Sequence, residues 1–146
     1  MKVLMGIGNT MRGDDGVGPY VARTFREEGW ISIDGGTTPE NFTSVLRREQ
    51  PEVVVLVDAA AMGLAPGALR LVSLDRIEDV SIGTHGPSLT AFIGYISSFA
   101  SCVVFIGIQP GKIRDSSSLS IPVRRGAETL KTVLKEQGIE GIAPLY

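Results

Sequence analysis

The sequence predicts an α/β protein: a three-layer α/β/α sandwich whose mostly parallel sheet has an antiparallel edge strand. Apolar strand-like segments alternate with amphipathic helix-like segments along the chain, which is the pattern of a parallel sheet covered by helices. Residues 53–57 form a continuous apolar run rich in valine, typical of a strand buried on both faces. A loop with glycines at 6, 8, 13, 16 and 18 joins the first strand to the first helix.

Apolar periodicity and turn residues place each element. Strands of the main sheet are expected at residues 3–5, 30–33, 53–57 and 102–106, and an antiparallel edge strand at 68–73. Helices are expected at about 17–28, after a threonine cap and capping box at 37–40, along the apolar stripe from Leu89 to Phe99, and from Ser120 onward. Residues 74–82 and 111–120 are expected to be irregular, and residues 138–146 to form a loosely held tail.

Composition bounds the class of protein. A length of 146 residues fits one domain over residues 1–146, with 43% hydrophobic and 21% charged residues. The net charge of −2 indicates no nucleic-acid partner. No apolar run reaches the roughly 18 residues of a membrane span, and the first residues lead directly into a strand, so a cytoplasmic protein is predicted. The single cysteine, Cys102, precedes an apolar strand, which favours a core position over a nucleophile.

The chemistry-bearing residues are expected at the carboxyl ends of the strands, where ligands bind in such sheets. Asp58 ends the most apolar strand, and a carboxylate there is costly to bury unless it is paired or binds a cation. A capping role is the alternative. Asp14 and Asp15 lie in the glycine loop, where one is expected to point inward and the other into a local backbone bond. With His85, the single histidine, the aspartates make a plausible site for nickel or zinc.

The glycine loop itself favours a cation over a phosphate. A dinucleotide-binding loop needs a third glycine where Met11 stands, and a P-loop needs a Gly-Lys-Ser/Thr triplet that this chain lacks. The adjacent aspartates would also repel a phosphate.

Four motifs together resemble the hydrogenase maturation endopeptidases: GIGNTMRGDDGVG at residues 6–18, VDAA at 57–60, THGPSL at 84–89 and GIQP at 107–110. GGTTPENF at residues 35–42 is similar to the branch of HycI type, which processes hydrogenase-3-type enzymes. The resemblance implies removal of a C-terminal extension from the precursor of the nickel–iron hydrogenase large subunit, after nickel insertion.

The resemblance also assigns roles to residues. It implies metal ligation by Asp15, Asp58 and His85, with nickel supplied by the substrate and substrate contacts from Thr37, Thr38 and Gln109. The metal could polarise the scissile carbonyl or activate water, or Asp15 or Asp58 could be the general base. The enzyme is thus either a metal-dependent or an aspartic-type peptidase.

Two other classes of protein share these features. A nickel-binding maturation chaperone would carry the same ligands and would leave the precursor uncut. A nucleotide-binding α/β module would use the same scaffold, but its loop would need a basic residue or a third glycine.

Overall fold

A computed structural model describes residues 1–80, 86–111, 113 and 116–146. Its strands are β1 Lys2–Ile7, β2 Trp30–Gly36, β3 Val53–Ala59, β4 Leu69–Val72 and β5 Cys102–Ile108. They form one sheet in the order β2-β1-β3-β5-β4, in which only the β4–β5 pair is antiparallel. The predicted mostly parallel sheet with its antiparallel edge strand is confirmed.

Helices cover both faces of this sheet. They are α1 Val17–Thr24, α2 Thr43–Glu49, α3 Ile77–Val80, α4 Gly86–Ile96 and α5 Ile121–Glu136. Side chains of β3 alternate between the two layers: Val54 and Leu56 pack in a core cluster with residues of α2, α3 and α4, whereas Val55 and Val57 pack with α1 and α5. The predicted three-layer sandwich is therefore confirmed. None of the described helices is long and apolar enough to cross a membrane.

Several element boundaries differ from the prediction. Helix α1 ends at Thr24 rather than near residue 28, because Phe25 turns to an extended conformation and packs its buried ring edge-on against Trp30 at 5.3 Å. Strand β2 continues through the glycines to Gly36. Residues 77–80, which we expected to be irregular, are helical, with Ile77 and Val80 buried.

The helix start predicted from the threonine cap and capping box at residues 37–40 is not the start of α2. Pro39–Phe42 is a turn of 3-10 helix, and α2 begins only at Thr43. The Thr38 side chain makes no cap hydrogen bond; instead its Oγ1 accepts from Asn41 Nδ2 at 3.1 Å.

The predictions for the burial of Cys102 and for the C-terminal tail were also wrong. Cys102 is exposed, because it occupies the amino end of β5, before the strand enters the core. The tail is docked rather than loose: Leu71 N donates to Ala143 O at 2.8 Å, Leu145 N donates to Leu71 O at 2.9 Å, and Ile142 is buried. These bonds cover the edge of β4 that faces away from β5.

Candidate active site

The site residues converge where the strand order reverses. Strands β2 and β3 lie on opposite sides of β1, so a crevice opens at the carboxyl ends of β1 and β3, the usual ligand position in such sheets. The glycine loop follows β1, and Asp58 lies near the end of β3. The sequence therefore placed both features at the correct edge.

The glycines of the loop pack the backbone against itself. A Cβ on Gly18 would lie 2.3 Å from Ile7 O and 2.4 Å from Val57 O, and one on Gly8 would lie 2.0 Å from Asp15 O. Such separations are too short for any side chain, so only glycine lets the start of α1 sit directly on β1 and β3. This packing holds the Asp15 backbone beside the carboxyl end of the sheet.

Asp58 is fully buried, with 0% of its surface exposed. Its Oδ1 accepts a hydrogen bond from Ala59 N at 2.8 Å, whereas its Oδ2 has no hydrogen-bond partner among the described residues. Burial raises the pKa of Asp58 well above its ordinary value, the nearby Asp15 carboxylate raises it further, and the Ala59 N–H lowers it by less. Binding of a proton or a cation would therefore stabilise this carboxyl group.

Asp15 lies in a turn of 3-10 helix, Gly13–Gly16, that leads into α1. It is 5% exposed, and its Oδ2 accepts from Asn9 N at 3.2 Å. The Asp15 carboxylate lies near enough to Asp58 to raise its pKa. The fold thus brings together two of the three predicted ligands, which stand 43 positions apart in the sequence. Both side chains are buried.

The third predicted ligand, His85, lies outside the described residues. Within the described part of the chain, no group of three histidine, cysteine, aspartate or glutamate side chains could hold a metal ion. The Asp15, Asp58 and His85 triad therefore stays a prediction. Helix α4, which begins at the next residue, Gly86, contacts α2 and α3 on one side of the sheet.

Asp14 has a different function from its neighbour. Its Oδ2 accepts from Gly111 N and from Ser120 Oγ, each at 2.8 Å, and its Oδ1 accepts from Ser120 N at 2.7 Å. Asp14 therefore ties the glycine loop to the segment that enters α5. No sequence motif predicted its partners, which lie 97 and 106 positions away. The Ser120 hydroxyl donates to Asp14 and makes no cap hydrogen bond to α5.

The residues predicted to contact substrate separate into two places. Thr37 and Thr38 line an open cleft of about 380 Å³ together with residues 8–11 and 34–36 and with Arg23. Gln109 lies elsewhere: its Oε1 accepts from Met62 N at 2.7 Å and Leu64 N at 3.3 Å. That side chain shapes the loop after β3, which is a structural role that sequence reasoning missed.

Comparison with known proteins identifies the class. A family model described as HycI, hydrogenase maturation protease, matches residues 17–136. The chain belongs to the hydrogenase maturation proteases. The hydrogenase 3 maturation protease of Escherichia coli K12 is 35% identical over 143 residues, which cover 95% of this chain and 90% of that relative.

Solved structures agree with this assignment. The solution structure of the endopeptidase HycI from Escherichia coli has a TM-score of 0.91 at 34% identity, covering 100% of this chain and 97% of that one. The [NiFe] hydrogenase maturation protease HycI from Thermococcus kodakarensis has a TM-score of 0.79 at 28% identity, covering 92% and 90%. The resemblance noted in the sequence motifs is confirmed, and the activity class is that of a hydrogenase maturation endopeptidase.

Proposed function

We propose that this endopeptidase removes the C-terminal extension of a nickel–iron hydrogenase large-subunit precursor after nickel has been inserted. Membership of the hydrogenase maturation proteases supports the reaction class. The observation that carries the proposal is Asp58, a fully buried carboxyl group with one oxygen unpartnered among the described residues and the Asp15 carboxylate nearby. Such an arrangement is costly unless a proton or cation completes it.

The nickel is part of the substrate in this proposal. Asp58, Asp15 and His85 would dock onto the metal that the precursor already carries, and its presence would report that insertion is complete. Carboxylate and imidazole groups together suit a borderline divalent ion. Ligation needs Asp58 in its ionised form, so its raised pKa makes the docking dependent on pH.

Two roles for the carboxylates fit this geometry. Asp58, held on β3 with its position set by the Ala59 N–H, gives the rigid contact. Asp15, on the loop whose Asn9 N–H binds it, supplies the second charge. When the substrate's nickel occupies the site, it supplies Lewis acidity. Alternatively, either carboxylate takes a proton from the attacking water as general base.

The open cleft beside the glycine loop is the proposed position of the precursor peptide. Thr37 and Thr38 contribute hydroxyl groups, Met11 is 73% exposed at the same cleft, and Arg23 borders it. Polar groups of this kind can bind a peptide backbone while an exposed apolar side chain binds its substituents. Gln109 is not among the described residues that line this cleft; its amide oxygen holds the loop after β3, and its contact with substrate stays a prediction.

The test is incubation of the chain with nickel-loaded and nickel-free precursor, followed by mass measurement of both. We expect loss of the extension from the nickel-loaded precursor alone. A precursor that binds but keeps its full length would identify a nickel-binding maturation chaperone instead. Asp58→Asn should abolish cleavage, while the matched control Asp75→Asn, at an exposed carboxylate in the turn after β4, should cleave like the wild type.

A further inference from the structure

The two edges of the sheet differ in how their backbone groups are satisfied. At the β4 edge, Leu71 exchanges hydrogen bonds with Ala143 and Leu145. The opposite edge is β2, which among the described residues pairs with β1 on one side and with no strand on its other side. An open edge is a template for another strand and is usually blocked in a monomeric protein. The chain blocks one edge with its own tail, whereas no strand among the described residues pairs with the outer side of β2.

Hydrogen-bond geometry identifies the groups on the open edge. Lys2 N donates to Gly29 O at 3.0 Å, and Lys2 is in register with Trp30. Residues of a parallel strand alternate in direction, so the odd-numbered residues of β2 bond to β1. The backbone N–H and C=O groups of Ser32 and Asp34 consequently point away from the sheet.

This edge leads directly into the proposed peptide cleft. Strand β2 ends at Gly36, and residues 34–38 form one wall of the cleft of about 380 Å³. Farther back along the strand, Trp30 and Ser32 border a second groove together with residues 25–28. An added strand would present its side chains alternately to the two sides of the sheet, and the two grooves lie at the two ends of β2 along its path.

We infer that the extended segment of the precursor that carries the cleavage junction adds to β2 as a sixth strand. This inference rests on the proposed function. The occupant is an extended peptide, because the exposed groups on β2 are backbone donors and acceptors. Their spacing and direction match those of another extended backbone. Such pairing would hold the extension in an extended conformation beside the cleft, and the side chains that enter the grooves would set its register.

Hydrogen exchange on the complex tests this directly. The probe is the Asp58→Asn variant, which we expect to leave precursor uncut, mixed with excess nickel-loaded precursor, and complex formation is checked first by size-exclusion chromatography. If loss of the Asp58 contact prevents the complex, the Ser32→Pro kinetics decide. We expect exchange at the amides of Ser32 and Asp34 to slow at least tenfold on binding. The amide of Leu71, already bonded to Ala143 O, is the internal control and should not change. Unchanged exchange at Ser32 and Asp34 in a formed complex would overturn the inference.

A proline variant gives an independent measurement. Ser32→Pro removes an outward N–H and no bond to β1, and proline is tolerated in that position of an edge strand. We expect KM for precursor cleavage to rise about tenfold or more with little change in kcat, which is the signature of lost uniform binding. An unchanged KM in a variant with the wild-type thermal midpoint would contradict strand addition. If the variant fails to fold, the exchange measurement decides.

The two proposals can fail separately. Wild-type chain that leaves nickel-loaded precursor uncut defeats the proposed peptidase function. Wild-type chain that cuts the precursor, with no protection at Ser32 and Asp34, defeats strand addition alone.

Discussion

Asp14 and Asp58 are both buried carboxyl groups at the same edge of the sheet, yet their surroundings are opposite. Asp14 is 1% exposed and accepts three hydrogen bonds, two of them from Ser120. Asp58 is 0% exposed and accepts one hydrogen bond from the described residues, from Ala59 N. Burial alone therefore does not separate these two carboxyl groups; their unsatisfied hydrogen-bonding capacity does, and it is the ground on which we propose a functional role for Asp58.

The largest effect is expected from Asp58→Asn. The substitution removes the charge needed for a base or a metal contact, so cleavage of nickel-loaded precursor should fall by roughly 100-fold or more. Stability should hold or rise, because a buried carboxyl group beside Asp15 is replaced by a neutral amide. The measurements are cleavage rate per folded molecule and the thermal midpoint. Full cleavage by a less stable variant would assign Asp58 to structure.

Asp14→Ala should give the converse result. It leaves Gly111 N and Ser120 N without their acceptor, and lost bonds to a charged group cost about 2–4 kcal/mol of unfolding free energy in total. Cleavage per folded molecule should be largely kept. Denaturant unfolding measures the loss. Ser120→Ala is the graded control, since it removes one donor, the Ser120 hydroxyl, and should cost about 1 kcal/mol. A stable Asp14→Ala variant that cannot cleave would move Asp14 into the active site.

A smaller effect is expected from pH. Because the pKa of Asp58 is raised in the folded protein, between the ordinary and the raised pKa the folded protein holds a proton that the unfolded chain has released. The free energy of unfolding should therefore fall as pH rises from about 4 through that window. The difference between wild type and Asp58→Asn isolates this slope in pH-dependent denaturant titrations. If the difference in unfolding free energy between the two proteins does not change with pH, or if the wild type gains stability as pH rises, the ionised Asp58 carboxylate has stabilising partners in the folded protein.

Much of the fold was predictable because it follows from local pattern. The apolar runs of β3 and β5 are continuous in the sequence, and burial on both faces requires that pattern. The failures lie where tertiary contacts decide. Phe25 ends α1 early to pack on Trp30, and residues 143–145 pair with Leu71. Neither contact has a short-range signal.

The candidate site was predictable in part for a related reason. Asp58 stands out as a charge at the end of an apolar strand, and the carboxyl-edge rule brings it to the glycine loop. The choice between Asp14 and Asp15 was not predictable from position, since it depends on Gly111 and Ser120, which come from distant sequence. The structural role of Gln109 was not predictable for the same reason: its partners, Met62 and Leu64, lie 47 and 45 positions away in the sequence.

The smallest effect is expected at Cys102, which supplies a baseline for the two aspartates. It begins β5, in register with Val53 at the amino end of β3, so it lies at the edge of the sheet opposite Asp58. We first expected Cys102→Ser to cost about 1 kcal/mol or more as a buried substitution. Because the side chain is exposed, the change should instead stay within about 0.5 kcal/mol, with cleavage unaltered. Unfolding and precursor cleavage measured on the same preparation test both statements. A variant that folds normally but fails to cleave would mean that chemistry or substrate contact extends to the amino edge of the sheet. The active site would then not be confined to the carboxyl edge, where Asp14 and Asp58 lie.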